Sequence, residues 1–125
     1  MRIVLAIALV MCLFSAAIAE NRKEITVELQ VPDTTWTIQI TEVTEVGNEL
    51  WVVSHLSQAS DMMGAQVIST VKDSIELVAP DLPIKQFVTG KTWNWDNGKG
   101  YIFISSIKDI EQKLGTGRII YKPGK

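Results

Sequence analysis

The chain has 125 residues with 46% hydrophobic and 21% charged positions, one cysteine, one histidine and a formal net charge of −2. That length suits a single domain, and the apolar content is too high and the charge too balanced for a disordered polymer. The lack of any basic run argues against a nucleic-acid binder, whose phosphate contacts need clustered Lys and Arg.

The first segment reads as an export signal. Met1-Arg2 gives a short positive start, Ile3 to Phe14 is a nearly unbroken apolar run, and Ala17 and Ala19 make an A-x-A cleavage site. The run is shorter than the ~20 residues a spanning helix needs. Residues 1–19 are therefore expected to be a signal peptide and 20–125 a single domain, periplasmic or secreted, with no membrane span after cleavage. Cleavage would remove Arg2 and Cys12, leaving a more acidic, cysteine-free and disulfide-free chain. Thiol catalysis and thiolate metal sites are then excluded.

The rest is dominated by period two. Ile25, Val27, Leu29 and Val31 alternate with polar residues as a half-buried strand. Pro32-Asp33-Thr34-Thr35 reads as a loop. Trp36, Ile38 and Ile40 then share a face, and the phase slips at Thr41-Glu42, which predicts a bulge. Gly47-Asn48 predicts a hairpin into Leu50–Val53, a strand apolar on both faces and so central. Ser57 to Gly64 is a polar connection. Gln66–Val71 and Ile75–Ala79 read as two strands joined around Lys72-Asp73, and Pro80-Asp81-Leu82-Pro83 as a rigid turn with both prolines outside the ladders.

Ile84–Val88 is the next strand, followed by Gly90-Lys91-Thr92, Trp93-Asn94-Trp95 and a tight loop at Asp96-Asn97-Gly98. Tyr101–Ser105 is a strand rich in aromatic and β-branched residues. Ser106 can cap the one convincing helix, with Asp109 at the capping-box position and Ile107, Ile110 and Leu114 on one face. Arg118–Tyr121 forms a last strand. The pattern predicts an antiparallel sandwich or barrel, and the sandwich is the reading adopted.

Catalytic and metal-binding constellations are scarce. His55 has no second histidine or mature cysteine to complete a triad or a zinc site. The carboxylates are scattered at strand–loop junctions, and no spacing singles out an acid–base pair. Asp96-Asn97-Gly98 lacks the other ligands of a calcium loop, and Gly90-Lys91-Thr92 lacks the upstream glycine of a phosphate loop. The inventory favours binding over catalysis, with no cofactor and no metal. Among the aromatics, Trp51, Phe103 and Tyr121 sit in apolar strands as core. Trp93 and Trp95 flank a loop, where a large rigid ring can anchor a partner.

Three segments carry a family resemblance. Val31-Pro32-Asp33-Thr34-Thr35-Trp36, Met62-Met63-Gly64-Ala65 and Gly90-Lys91-Thr92-Trp93 fall, in order and spacing, where chagasin-type inhibitors of papain-like cysteine peptidases carry N-P-T-T-G, G-x-G-G and R-P-W. The letters differ: Trp36 replaces a glycine, Gly64 alone remains of the glycine-rich loop, and Lys91-Thr92 replaces Arg-Pro. The resemblance implies an immunoglobulin-like antiparallel β-sandwich of about seven or eight strands, here with one short C-terminal helix. It also implies three loops at one end that wedge into a peptidase cleft. The partner-binding residues expected on this basis are Thr34, Thr35, Met63, Gly64, Lys91, Trp93 and Trp95, and the partner a protein, with a papain-like peptidase as the implied class. The alternatives are a glycan or cell-surface module stacking ligands on Trp93 and Trp95, or an envelope assembly protein recruiting partners on an edge strand.

Overall fold

The computed structural model describes residues 20–59, 66–95 and 99–123. The expected signal peptide at 1–19, the Met63 and Gly64 contacts and the Asp96-Asn97-Gly98 loop lie outside the described residues. Among the described residues there are seven strands: β1 (Glu20–Val31), β2 (Trp36–Val46), β3 (Glu49–Gln58), β4 (Ser69–Pro80), β5 (Ile84–Thr89), β6 (Ile102–Ile104) and β7 (Arg118–Tyr121). They form a two-stranded sheet, β1-β4, facing a five-stranded sheet in the order β6-β5-β3-β2-β7. The protein is an all-β, sandwich-like fold.

The core lies between the sheets and follows directly from the period-two pattern. Ile25, Val27, Leu29 and Val31 of β1 pack against Trp36, Ile38, Ile40 and Val43 of β2, with Val52 and Leu56 of β3 and Val88 of β5. The bulge expected at Thr41 is present, since Ile40 pairs with Ser54 while Glu42 pairs with Val53. The extra residue restores the inward phase so that Val43 is buried. The Gly47-Asn48 hairpin is likewise found, with Gly47 at φ +59, a conformation open to glycine without a Cβ penalty.

Four features depart from the sequence reading. First, the antiparallel expectation holds for β1–β4, β2–β3 and β2–β7, but β3–β5 and β5–β6 run parallel. The chain crosses to the other sheet as β4 between β3 and β5, so β5 re-enters alongside β3 in the same direction. Second, Lys72-Asp73 is not a turn: β4 pairs with β1 without a break from Ser69 to Pro80, Pro80 being its last residue opposite Glu20. Asp73 is tied into the packing there, its carboxylate accepting from the Ile40 amide at 2.8 Å and the Ser74 amide at 3.0 Å. Third, Val67 and Ile68 stand outside β4, 55% and 62% exposed.

The fourth concerns the helix, which breaks into a 3-10 turn (Ile107–Asp109) and a single α-helical turn, α1 (Glu111–Leu114), separated at Ile110. Ser106 does cap it, accepting from the Lys108 amide at 3.2 Å. The tighter 3-10 winding moves Ile107 off the shared face and leaves it exposed. Ile110 and Leu114 still pack onto the far side of the five-stranded sheet, over Trp51, Val53 and Phe87.

Both edges of the small sheet are tied to the large one. Gln86 Nε2 of β5 donates to the Thr26 carbonyl at 2.9 Å, and the Glu28 amide donates to the Tyr101 hydroxyl at 3.2 Å. On the opposite edge, Asp73 links β4 to β2 through the Ile40 amide. Open strand edges invite pairing with other chains, and the Gln86 and Tyr101 side chains cover part of the β1 edge.

Candidate functional site

The topology brings three connections to one end of the sandwich. Trp36, the first residue of β2, pairs with Gln58, the last of β3, while His55 of β3 pairs with Thr89, the last of β5, and Val31 pairs with Ser69. The β1–β2 loop, the end of β3 with the approach to β4, and the segment after β5 therefore share that end.

The β1–β2 loop is locked by its own polar groups. The amide of Thr35 donates to Asp33 Oδ1 at 2.8 Å, and its hydroxyl donates to the same oxygen. Gln58 Nε2 donates to Thr35 Oγ1 at 3.0 Å, and the Ala59 amide donates to the Thr35 carbonyl at 3.1 Å. The Thr35 hydroxyl, then its amide, holds the Asp33 carboxyl below the ordinary aspartate range. The Trp36 indole N–H adds slightly to that effect without reaching hydrogen-bond geometry. Thr35 is buried and fully engaged, so it shapes the loop; its neighbour Thr34 is exposed at the tip.

The segment after β5 starts at Gly90, whose φ is +94 and whose missing Cβ would lie 2.2 Å from the Leu56 carbonyl oxygen. Only glycine lets the chain leave β5 this close to β3. Gly90-Lys91-Thr92 lacks the rest of a phosphate loop, and the role of Gly90 is close backbone approach.

Beyond Gly90 the aromatic rings form a ladder from core to solvent. Trp36, 7% exposed, meets Trp93 edge to face with centroids 5.0 Å apart, and Trp93 meets Trp95 at 5.6 Å with planes tilted by 41°. Trp93 is half-buried and Trp95 is 38% exposed. The Lys91 ammonium lies 5.4 Å from the Trp93 ring and 4.8 Å from the Phe103 ring, and it donates to the Trp93 carbonyl. Lys91 therefore braces the loop, and cation–π contact keeps its charge partly satisfied. The indole nitrogens of Trp36 and Trp93 are buried with no hydrogen-bond partner among the described residues.

Of the expected contact residues, the structure thus gathers Thr34, Thr35, Lys91, Trp93 and Trp95 at one end. Thr34 and Trp95 are its exposed members. Sequence reasoning missed Val67 and Ile68, exposed at the same end and absorbed there into a strand. Their one usable signal was the break in alternation, two adjacent apolar residues before Ser69-Thr70.

Among the described residues no group of three or more His, Cys, Asp or Glu side chains could hold a metal ion, and no helix is long and apolar enough to cross a membrane. No family model, no curated protein and no solved structure matches the chain.

Proposed function

We propose that this protein is an exported, non-catalytic binding domain that grips a protein partner through the loop end of its sandwich. The observation that carries this reading is the ladder Trp36–Trp93–Trp95, which roots an exposed indole in the core at a place where the flanking loops are braced by Asp33, Thr35 and Lys91. Rigid, pre-set loops lose little entropy on binding, and a packed aromatic anchor can supply much of the affinity. Val67 and Ile68 add apolar surface at the same end, which suits a protein face better than a sugar. The tilt between Trp93 and Trp95 also departs from the flat, parallel platform that stacks sugar rings.

Within this reading the partner class is a papain-like cysteine peptidase, as the order and spacing of the three loops suggest. Titration of papain with the purified protein tests it: stoichiometric, tight inhibition supports the peptidase reading, and undiminished activity at a large excess sinks it. Quenching of tryptophan fluorescence by a glycan panel, lost in Trp95→Ala, would put the glycan reading in its place.

A further inference from the structure

The second region with the makings of a site lies on the opposite face of the five-stranded sheet, beside the 3-10 turn. An open recess of about 530 Å³ is lined there by His55, Thr89, Glu42, Lys122, Ser105 and Ser106, with Val53 and Ile107 supplying apolar wall. That volume falls in the range of small-molecule sites, and a mostly apolar lining with a few convergent polar groups is their usual make-up.

The polar groups are held in place by the fold. His55 Nδ1 and Thr89 Oγ1 share a hydrogen bond of 2.7 Å, and the Thr89 hydroxyl also lies 3.4 Å from the Ser54 carbonyl. Nδ1 is thus occupied, and Nε2 is the ring nitrogen open to an occupant. Whichever way the Thr89 proton lies, a ligand hydroxyl complements Nε2, because a hydroxyl both donates and accepts. The Glu42 side chain is 12% exposed, accepts from the Thr44 hydroxyl at 2.5 Å and pairs with Lys122 at 3.8 Å. A carboxylate has about four lone-pair sites, so Glu42 keeps acceptor capacity for a ligand O–H. The Ser106 oxygen accepts from the Lys108 amide, leaving its own proton to donate.

The charges decide the ligand class. The Glu42 carboxylate and the Lys122 ammonium cancel, so this pair leaves no surplus for a free anion or cation. We infer that this recess is a binding site for a small, neutral, polyhydroxylated ligand of monosaccharide or sugar-alcohol type, hydrogen-bonded by His55 and Glu42 with its carbon face on Val53 and Ile107. The recess adjoins the loop end at His55, Thr89 and Gly90 but opens on the outer face of the sheet, and its assignment does not depend on the peptidase reading.

The single histidine makes the test direct, because all imidazole carbon-bound proton signals belong to His55. Titration of the protein with glucose, N-acetylglucosamine and sorbitol, with acetate as a charged control, should shift those signals saturably for at least one neutral probe and not for acetate. Glu42→Gln should weaken that binding about tenfold, one charge-assisted hydrogen bond's worth. Ser105→Ala, at an exposed position, should weaken it by a few-fold even if the Glu42 variant fails to fold. Trp95→Ala should leave it unchanged. Absence of a saturable shift with every neutral probe, an equal response to acetate, or unaltered affinity in the folded Glu42 and Ser105 variants would overturn the assignment.

Discussion

Two aromatic clusters sit on the same chain and are built to opposite specifications. The first, under α1, holds Trp51 and Phe87 with centroids 4.7 Å apart, roofed by Leu114 and Ile110. Its residues stand on adjacent paired strands, and the Trp51 indole N–H donates to Glu49 Oε1 at 3.0 Å. Lys85 lies over the two rings, 5.5 and 6.0 Å from their centroids. The second, at the loop end, stands largely on loop residues, leaves two buried indole nitrogens without partners among the described residues, and carries one ring out to solvent. The first cluster is internally satisfied and stabilises the sheet, whereas the second is the one that, on the reading proposed above, serves a partner.

The largest expected effect follows from the first cluster. Trp51→Ala removes a buried ring and should cost about 3–5 kcal/mol in urea unfolding. A cost under about 1 kcal/mol would erase the contrast between the clusters. Gly90→Ala should come next, at about 2 kcal/mol or more, because it combines a positive φ with overlap on the Leu56 carbonyl. Gly90 ends β5 and starts the tryptophan loop, so the same variant should alter the near-ultraviolet signal of Trp93 and Trp95. A variant as stable as the parent would show that the close approach is not needed.

A smaller, local effect is expected in acid. The Asp33 carboxyl is held below its ordinary value by Thr35, so its contribution is fully present above the ordinary aspartate pKa of about 3.9 and is lost as pH falls through the lower folded-state value. The Thr35 amide resonance should therefore titrate with a midpoint below about 3.9. A midpoint at or above that value would mean the loop is not locked through Asp33.

Much of this architecture is legible in the sequence, and the failures have identifiable causes. Alternation from Ile25 to Val31 and from Trp36 to Ile40, the slip at Thr41 and the glycine at 47 each express a local rule, and each element is where the rule places it. Lys72-Asp73 misleads because its polar pair looks like a turn, whereas Asp73 turns inward to serve a backbone amide on another strand, a partner 33 residues away. The parallel pairs are invisible for the same reason: period two reports which face a residue takes, not the direction of its neighbour. At the loop end, the residue types and their order were readable. The division of labour was not, since the burial of Thr35 depends on Gln58 and Ala59, and the bracing by Lys91 depends on Phe103.

The central claim is that the exposed ring at the loop end serves a partner and contributes little to the fold. Trp95→Ala tests it most directly when unfolding and tight binding to papain are measured on the same preparation. The account predicts a stability change under about 1 kcal/mol with a loss of binding of at least about 2 kcal/mol, roughly thirtyfold in Kd. Unchanged inhibition by a folded Trp95→Ala protein, or a loss of stability as large as that of Trp51→Ala, would contradict it.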